Sequence, residues 1–191
     1  NDDTPDTPAG PVVGTAYKLY LTQANLSKTL LFGGQTESAS VNYRLAMVED
    51  AAEAVDVYLE AATGGYYLYF MNGSTKTYIR VYERDATNGK GSLELVTAAP
   101  AEVLTYNADF DTLVYTAASG NSYYMGTYNT FSTISVSNMS YLNANTAEVT
   151  QFPAQLGAAN DDTNPDPNPS VTVVTIAEAL AASSGEFTVK G

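Results

Sequence analysis

The 191-residue chain contains no cysteine, no histidine and no tryptophan, and it is short of cations, with 8 Lys and Arg against 21 Asp and Glu. Each absence closes a chemistry. Without cysteine there is no disulfide framework and no thiolate nucleophile. Without histidine, the Ser-His-Asp arrangement, the common zinc sites and the usual neutral-pH proton shuttle are excluded. No apolar run approaches the ~20 residues that a membrane-spanning helix requires. The acidic excess is uneven. Six acids fall within residues 1–10 and 157–170, which hold no Lys or Arg. Residues 16–156 carry 13 acids and 7 bases, about −6 and an ordinary soluble surface. No cluster of Lys and Arg supplies the basic face that neutralises phosphates, so nucleic acid is not expected as a partner here.

What is present favours strands. Hydrophobic residues make up 45 % of the chain and tyrosine alone contributes 15 residues. One pattern occurs three times. Ala52-Glu53-Ala54-Val55-Asp56-Val57-Tyr58 returns as Ala101-Glu102-Val103-Leu104-Thr105-Tyr106 and again as Ala147-Glu148-Val149-Thr150-Gln151-Phe152. Val55, Val103 and Val149 match at spacings of 48 and 46, and so do Tyr58, Tyr106 and Phe152. A second anchor keeps step: Tyr17-Lys18-Leu19-Tyr20, Tyr66-Tyr67-Leu68-Tyr69 and Thr112-Leu113-Val114-Tyr115. Each precedes a polar turn and a further strand, around Leu30-Leu31, Tyr78-Ile79 and Tyr124-Met125. Third strands follow, with clear alternation at Leu93 and Leu95 and at Ile134 and Val136. Only the Ala51 to Ala54 stretch has helical propensity, and it is too short to stand alone.

Three units of four strands, each unable to bury its own apolar face, must share one core. In repeat number, repeat length and strands per repeat the region resembles the β-trefoil, a closed barrel with a triangular cap. The expected fold is therefore all-β, with repeats at about 17–65, 66–111 and 112–156. A β-sandwich of about twelve strands is the alternative, which explains the strands but not the equal spacing. The Gln-x-Trp triplet of lectin-type trefoils is missing, with Val57-Tyr58, Thr105-Tyr106 and Gln151-Phe152 in the like place. The sugar-binding residues of that subfamily therefore do not transfer.

The flanks read differently. Residues 1–15 are rich in Pro, Asp and Thr and are expected to form a flexible tether. Their abrupt opening suits a mature exported chain, trimmed behind a removed signal or a lipid-anchor cysteine, with a cloning boundary as the other explanation. Residues 157–170, GAANDDTNPDPNPS, form an expected linker. Residues 171–191, ending TIAEALAASSGEFTVKG, resemble the opening of OB-fold-like modules in modular secreted or lipid-anchored gut-bacterial proteins. That resemblance implies a truncated second module and an extracellular or cell-surface location. The alternative is a strand-helix-strand that packs on the first domain.

The sequence argues against an enzyme. Glu49-Asp50, Asp109 with Asp111, and Glu83 with Asp85 are neighbours in turns, whereas a glycosidase needs two carboxyls across a cleft. No G-x-S-x-G elbow occurs, and no cofactor or dedicated metal site is expected. Tyrosine invites a binding role, because its ring stacks on sugars while its hydroxyl bonds at the rim. Tyr20, Tyr69 and Tyr115, which recur in every repeat, are expected in a symmetric core layer, as are Tyr58, Tyr106 and Phe152. Ligand-binding residues should break the symmetry. Tyr82 and Tyr128 do so, where repeat one has Gly34, and Arg80 does so against Phe32 and Gly126. With Asp85 these residues form the candidate site. The expected function is a monomeric, non-catalytic module that recognises a polysaccharide or surface glycan. The alternatives are a structural spacer and an accessory domain of a secreted nuclease or hydrolase.

Overall fold

Period-two alternation is clear in Asp56–Ala62 and Gly65–Asn72, whereas Lys28–Ser38, Thr75–Asp85 and Thr112–Thr116 each bury three residues in succession. The computed structural model describes residues 10–23, 27–128, 132–143 and 151–158. The strands are β1 (Ala16–Gln23), β2 (Lys28–Ser38), β3 (Val41–Val48), β4 (Asp56–Ala62), β5 (Gly65–Asn72), β6 (Thr75–Asp85) and β7 (Lys90–Val96). They continue as β8 (Leu104–Asn107), β9 (Thr112–Thr116), β10 (Ser122–Tyr128), β11 (Thr133–Asn138), β12 (Gln151–Pro153) and β13 (Gln155–Ala158). Among the described residues there is one short helix, α1 (Ser140–Asn143). The Ala51 to Ala54 stretch is not helical. It forms tight turns in which Glu53 N–H donates to the Asp50 carbonyl and Ala54 N–H to that of Ala51.

All strand pairings are antiparallel and join into one sheet. Six strands close a ring: β1 pairs with β4, β4 with β5, β5 with β8, β8 with β9, β9 with β13 and β13 with β1. Three further hairpins, β2–β3, β6–β7 and β10–β11, extend from it. No ring strand is left with an open edge, the exposure that invites unwanted pairing. Gly65 stands where the ring is tightest. A Cβ there would collide with the Leu104 carbonyl oxygen and the Val103 side chain.

The interior is built from matched sets. Phe32, Ile79 and Met125 lie opposite Met47, Leu95 and Val136 in the three hairpins. Two residues before those partners, Leu45, Leu93 and Ile134 are fully buried. Leu19, Leu68 and Leu113 of β1, β5 and β9 join the same cluster with Val57 and Leu104. Burial of this kind is the main stabilising term, at roughly 1.5–3 kcal/mol per large apolar side chain.

The register corrects several expectations. Tyr20 lies between buried Leu19 and Leu21, and Tyr69 between buried Leu68 and Phe70, so both point to the outer side. Tyr115 packs on the main core with Leu113, and it faces Tyr123 as Phe70 faces Thr77. The three tyrosines are therefore not one core layer, because Tyr115 stands one residue out of step with Tyr69 and a shift of one reverses the face. Tyr58 likewise lies outside, between buried Val57 and Leu59. Val149 falls outside the described residues. Phe152 pairs with Thr127 of β10 rather than within the ring. Ala154 holds the place of Val55: its N–H donates to the Met125 carbonyl as Val55 N–H donates to that of Phe32.

The flank boundaries also differ from expectation. Within the expected tether, Gly14 N–H donates to the Leu59 carbonyl and Val12 N–H to the Tyr17 hydroxyl. Gly157 and Ala158, expected to open the linker, belong to β13 and pair with Lys18 and Tyr17. The rest of the expected linker and the OB-like segment lie outside the described residues.

Candidate functional site

Alternate residues of β4, β5 and β6 form a tyrosine-rich outer face, partly buried except at Tyr78, which is buried. On β4 they are Tyr58 and Glu60, on β5 Tyr67 and Tyr69, and on β6 Lys76, Tyr78, Arg80 and Tyr82. Cross-strand pairing sets Tyr58 against Tyr69 and Tyr69 against Tyr78. Tyr58 and Tyr69 stack, with ring centroids 5.4 Å apart and planes at 23°. Tyr78 is 5.9 Å from Tyr69, and Tyr67 meets Tyr78 edge-on at 6.1 Å. These separations are those that aromatic pairs prefer.

Charges are placed on this row and paired. The Lys76 ammonium sits 4.2 Å from the Tyr69 ring centroid and donates to Glu60 Oε2, which also accepts the Tyr78 hydroxyl at 3.0 Å. The Lys76 hydrogen bond holds the Glu60 carboxyl below its usual value, against a smaller opposing effect of burial. The same bond raises Lys76. Burial first, and Glu60 second, raise the Tyr78 phenol. Further along β6, Arg80 donates Nε and Nη2 to the two oxygens of Glu102, at 2.7 and 2.5 Å, and Nη1 to Glu94. The planar guanidinium suits this two-pronged contact in a way an ammonium would not. It pushes Glu102 down and Arg80 up. The guanidinium carbon lies 4.7 Å from the Tyr82 ring centroid.

Of the four residues singled out from sequence, the structure brings together Tyr82 and Arg80. Asp85 is not with them. It accepts the side-chain amide and backbone N–H of Asn88 in the β6–β7 turn, which lowers its pKa. It lies five residue steps along the strand from Arg80, roughly 16 Å at strand rise. Tyr128 ends β10 opposite Gln151, and its side chain lies outside the described residues. By hairpin register Arg80 corresponds to Gly33, the residue after Phe32, rather than to Phe32 itself. Its partners Glu94 and Glu102 were not anticipated, nor were Tyr58, Tyr69 and Lys76. The alternation in Tyr67-Leu68-Tyr69-Phe70 carried the signal, because one set must face outward if the other is core.

A second polar cluster has a structural reading. One oxygen of Glu83 accepts from Ser119 Oγ, Asn121 Nδ2 and Tyr123 Oη, tying β6 to the β9–β10 turn. These three bonds depress Glu83, and burial together with Glu83 pushes Tyr123 up to about 12.

Comparison with known proteins finds no matching family model, no matching curated protein and no matching solved structure.

Proposed function

We propose that the chain is a non-catalytic, exported binding module of β-trefoil architecture whose outer face on β4–β6 recognises a glycan or another surface component. The observation that carries the binding role is the half-buried tyrosine pair Tyr58–Tyr69, backed by buried Tyr78 and edged by Lys76 with Glu60 on one side and by Arg80 with Tyr82 on the other. Sugar rings stack on aromatic faces, and their hydroxyls bond to carboxylates, ammonium and guanidinium groups already fixed in place. A pre-formed face of this kind loses little freedom on binding.

The six-strand ring, the three hairpins and the core sets Phe32/Ile79/Met125 and Leu45/Leu93/Ile134 support the trefoil over a sandwich, in which two sheets would keep separate edges. The absence of histidine and cysteine supports a non-catalytic role. The pairing of both cations on the face favours a second reading, a spacer whose polar surface serves only stability.

Affinity electrophoresis against a panel of polysaccharides separates the two. Retardation by at least one polysaccharide is expected, weakened at least tenfold by Tyr69→Ala or Tyr82→Ala and less by Tyr128→Ala. Failure of every polysaccharide to retard the intact chain overturns the glycan reading and leaves the spacer.

A further inference from the structure

We propose that the end of the ring where β1 begins is a second binding site, for an alkylammonium group held by the Asp111 carboxylate beside Tyr17 and Tyr106. A cleft of about 290 Å³ lies there, walled by residues 10–12 on one side and by Tyr17, Tyr106, Asp111 and Leu156 on the other. This is near the lower end of small-molecule pockets.

Charge argues for a cation. Asp56, Glu60, Glu94 and Glu102 each have a Lys or Arg partner, whereas no Lys or Arg among the described residues pairs with Asp111. Its contacts are neutral. The Tyr106 hydroxyl donates to Oδ1 at 2.6 Å, and the Gln155 amide reaches Oδ2 only at 3.5 Å. A carboxylate with one weakly engaged oxygen attracts a donor that also brings positive charge. The net charge of −13 adds a favourable long-range field.

The walls argue for an organic cation rather than a metal ion. Tyrosine rings attract ammonium groups through their π faces, and Pro11, Val12 and Leu156 offer apolar surface to an alkyl stem. A metal ion would instead want several oxygen ligands, and among the described residues no group of three or more acidic side chains is assembled to hold one.

The backbone adds an independent sign. Asp111 has φ of +48°, a left-handed conformation that glycine or asparagine adopts more readily. It also breaks the pattern of the ring. Tyr17 lies opposite Val57 and Tyr66 opposite Leu104, and Asp111 directly precedes Thr112, the β9 residue that pairs with β13. Two tyrosines and one aspartate thus occupy corresponding places at one end of the ring. A strained residue that departs from an otherwise repeated pattern is where function is expected.

The ammonium can belong to a free amine or to a lysine side chain, and titration of the full chain followed by two-dimensional amide NMR distinguishes them. The probes are n-butylammonium chloride, n-butanol as the neutral match in size, and an N-acetyl-lysine amide. Saturable shifts at Tyr17, Tyr106, Asp111 and Leu156 are expected with butylammonium. Affinity should fall at least tenfold with n-butanol and in Asp111→Asn, which keeps the left-handed turn. Tighter binding of the lysine amide than of butylammonium assigns the site to a protein side chain, and the reverse assigns it to a free amine. Tyr69→Ala should leave these shifts intact, so the site stands apart from the outer face. Shifts of equal size with n-butanol, unchanged binding in Asp111→Asn, or no saturable shift at all would overturn the proposal.

Discussion

The inside of the strand ring and the outer face of β4–β6 are made by the same residues in alternation, yet they obey different rules. Inside, Leu68 and Phe70 of β5 belong to one apolar cluster that also holds Leu19 of β1 and Leu113 of β9. Outside, Tyr67 and Tyr69 of the same strand meet rings, an ammonium and a carboxylate, and corresponding positions elsewhere hold other chemistry. The core must close around a common centre, so each strand that enters it is constrained alike. The outer face has no such requirement, and on β4–β6 it carries a charged aromatic surface.

The largest expected effect tests that division directly. Phe70 is 1 % exposed and meets Phe32 edge-on at 5.1 Å across the core. Phe70→Ala should cost about 3–5 kcal/mol, the range for emptying a buried aromatic site. Tyr69→Ala, one residue away, removes a half-buried ring and should cost about 1–2 kcal/mol. Equilibrium unfolding in urea measures both. Equal losses would mean that the outer row is a second core and not a surface available to a ligand.

Much of the interior was legible in the sequence. Alternation at Leu93 and Leu95 and at Ile134 and Val136 placed β7 and β11, and the Tyr-Lys-Leu-Tyr type anchors placed β1, β5 and β9. What failed was register in the third repeat. The near-equal spacing made Phe152 look like a ring residue, whereas β13, with Leu156 and directly preceded by Ala154, occupies that place. Hydrophobic pattern alone cannot fix such a slip when two apolar strands lie within a few residues of each other. The site was legible in part for a related reason. Arg80 and Tyr82 share one face of one strand, so period two joined them. Glu102 comes from the loop before β8, 22 residues away in sequence, and only the folded ring brings it to Arg80. Asp85 was misplaced because closeness in sequence along an extended strand is distance in space.

A middle-sized effect probes the charged edge of the outer face. Glu102 is 13 % exposed at its side chain and takes two of the Arg80 donors. Arg80→Lys should cost about 1–2 kcal/mol, since an ammonium cannot serve Glu102 in two-pronged fashion and Glu94 at once. The pair also makes stability depend on acid. Glu102 titrates below its ordinary value of 4.5 because the folded state binds Arg80. Its contribution is therefore fully present above pH 4.5 and is lost as pH falls through the lowered folded value. Urea midpoints of the intact chain and of Glu102→Gln should thus converge on acidification. A constant gap between them from pH 7 to pH 3 would detach the guanidinium contact from stability.

The smallest effect addresses whether the tyrosine row is held by its rings or by its hydroxyls. Tyr78 is 6 % exposed, and its hydroxyl donates to the Glu60 oxygen that already accepts from Lys76. Tyr78→Phe keeps the contacts with Tyr67 and Tyr69 and removes only that donor. Glu60 retains Lys76 and lies partly in water, so it is not left buried without a partner. The expected loss is about 0.5–1 kcal/mol, the net worth of one hydrogen bond whose acceptor stays solvated. In a double-mutant cycle with Glu60→Gln the coupling should be of the same size. Coupling well above that, with polysaccharide retardation falling in parallel, would make the hydroxyl and Glu60 part of the recognising surface itself. A loss below the limit of measurement would leave the row held by ring contacts alone.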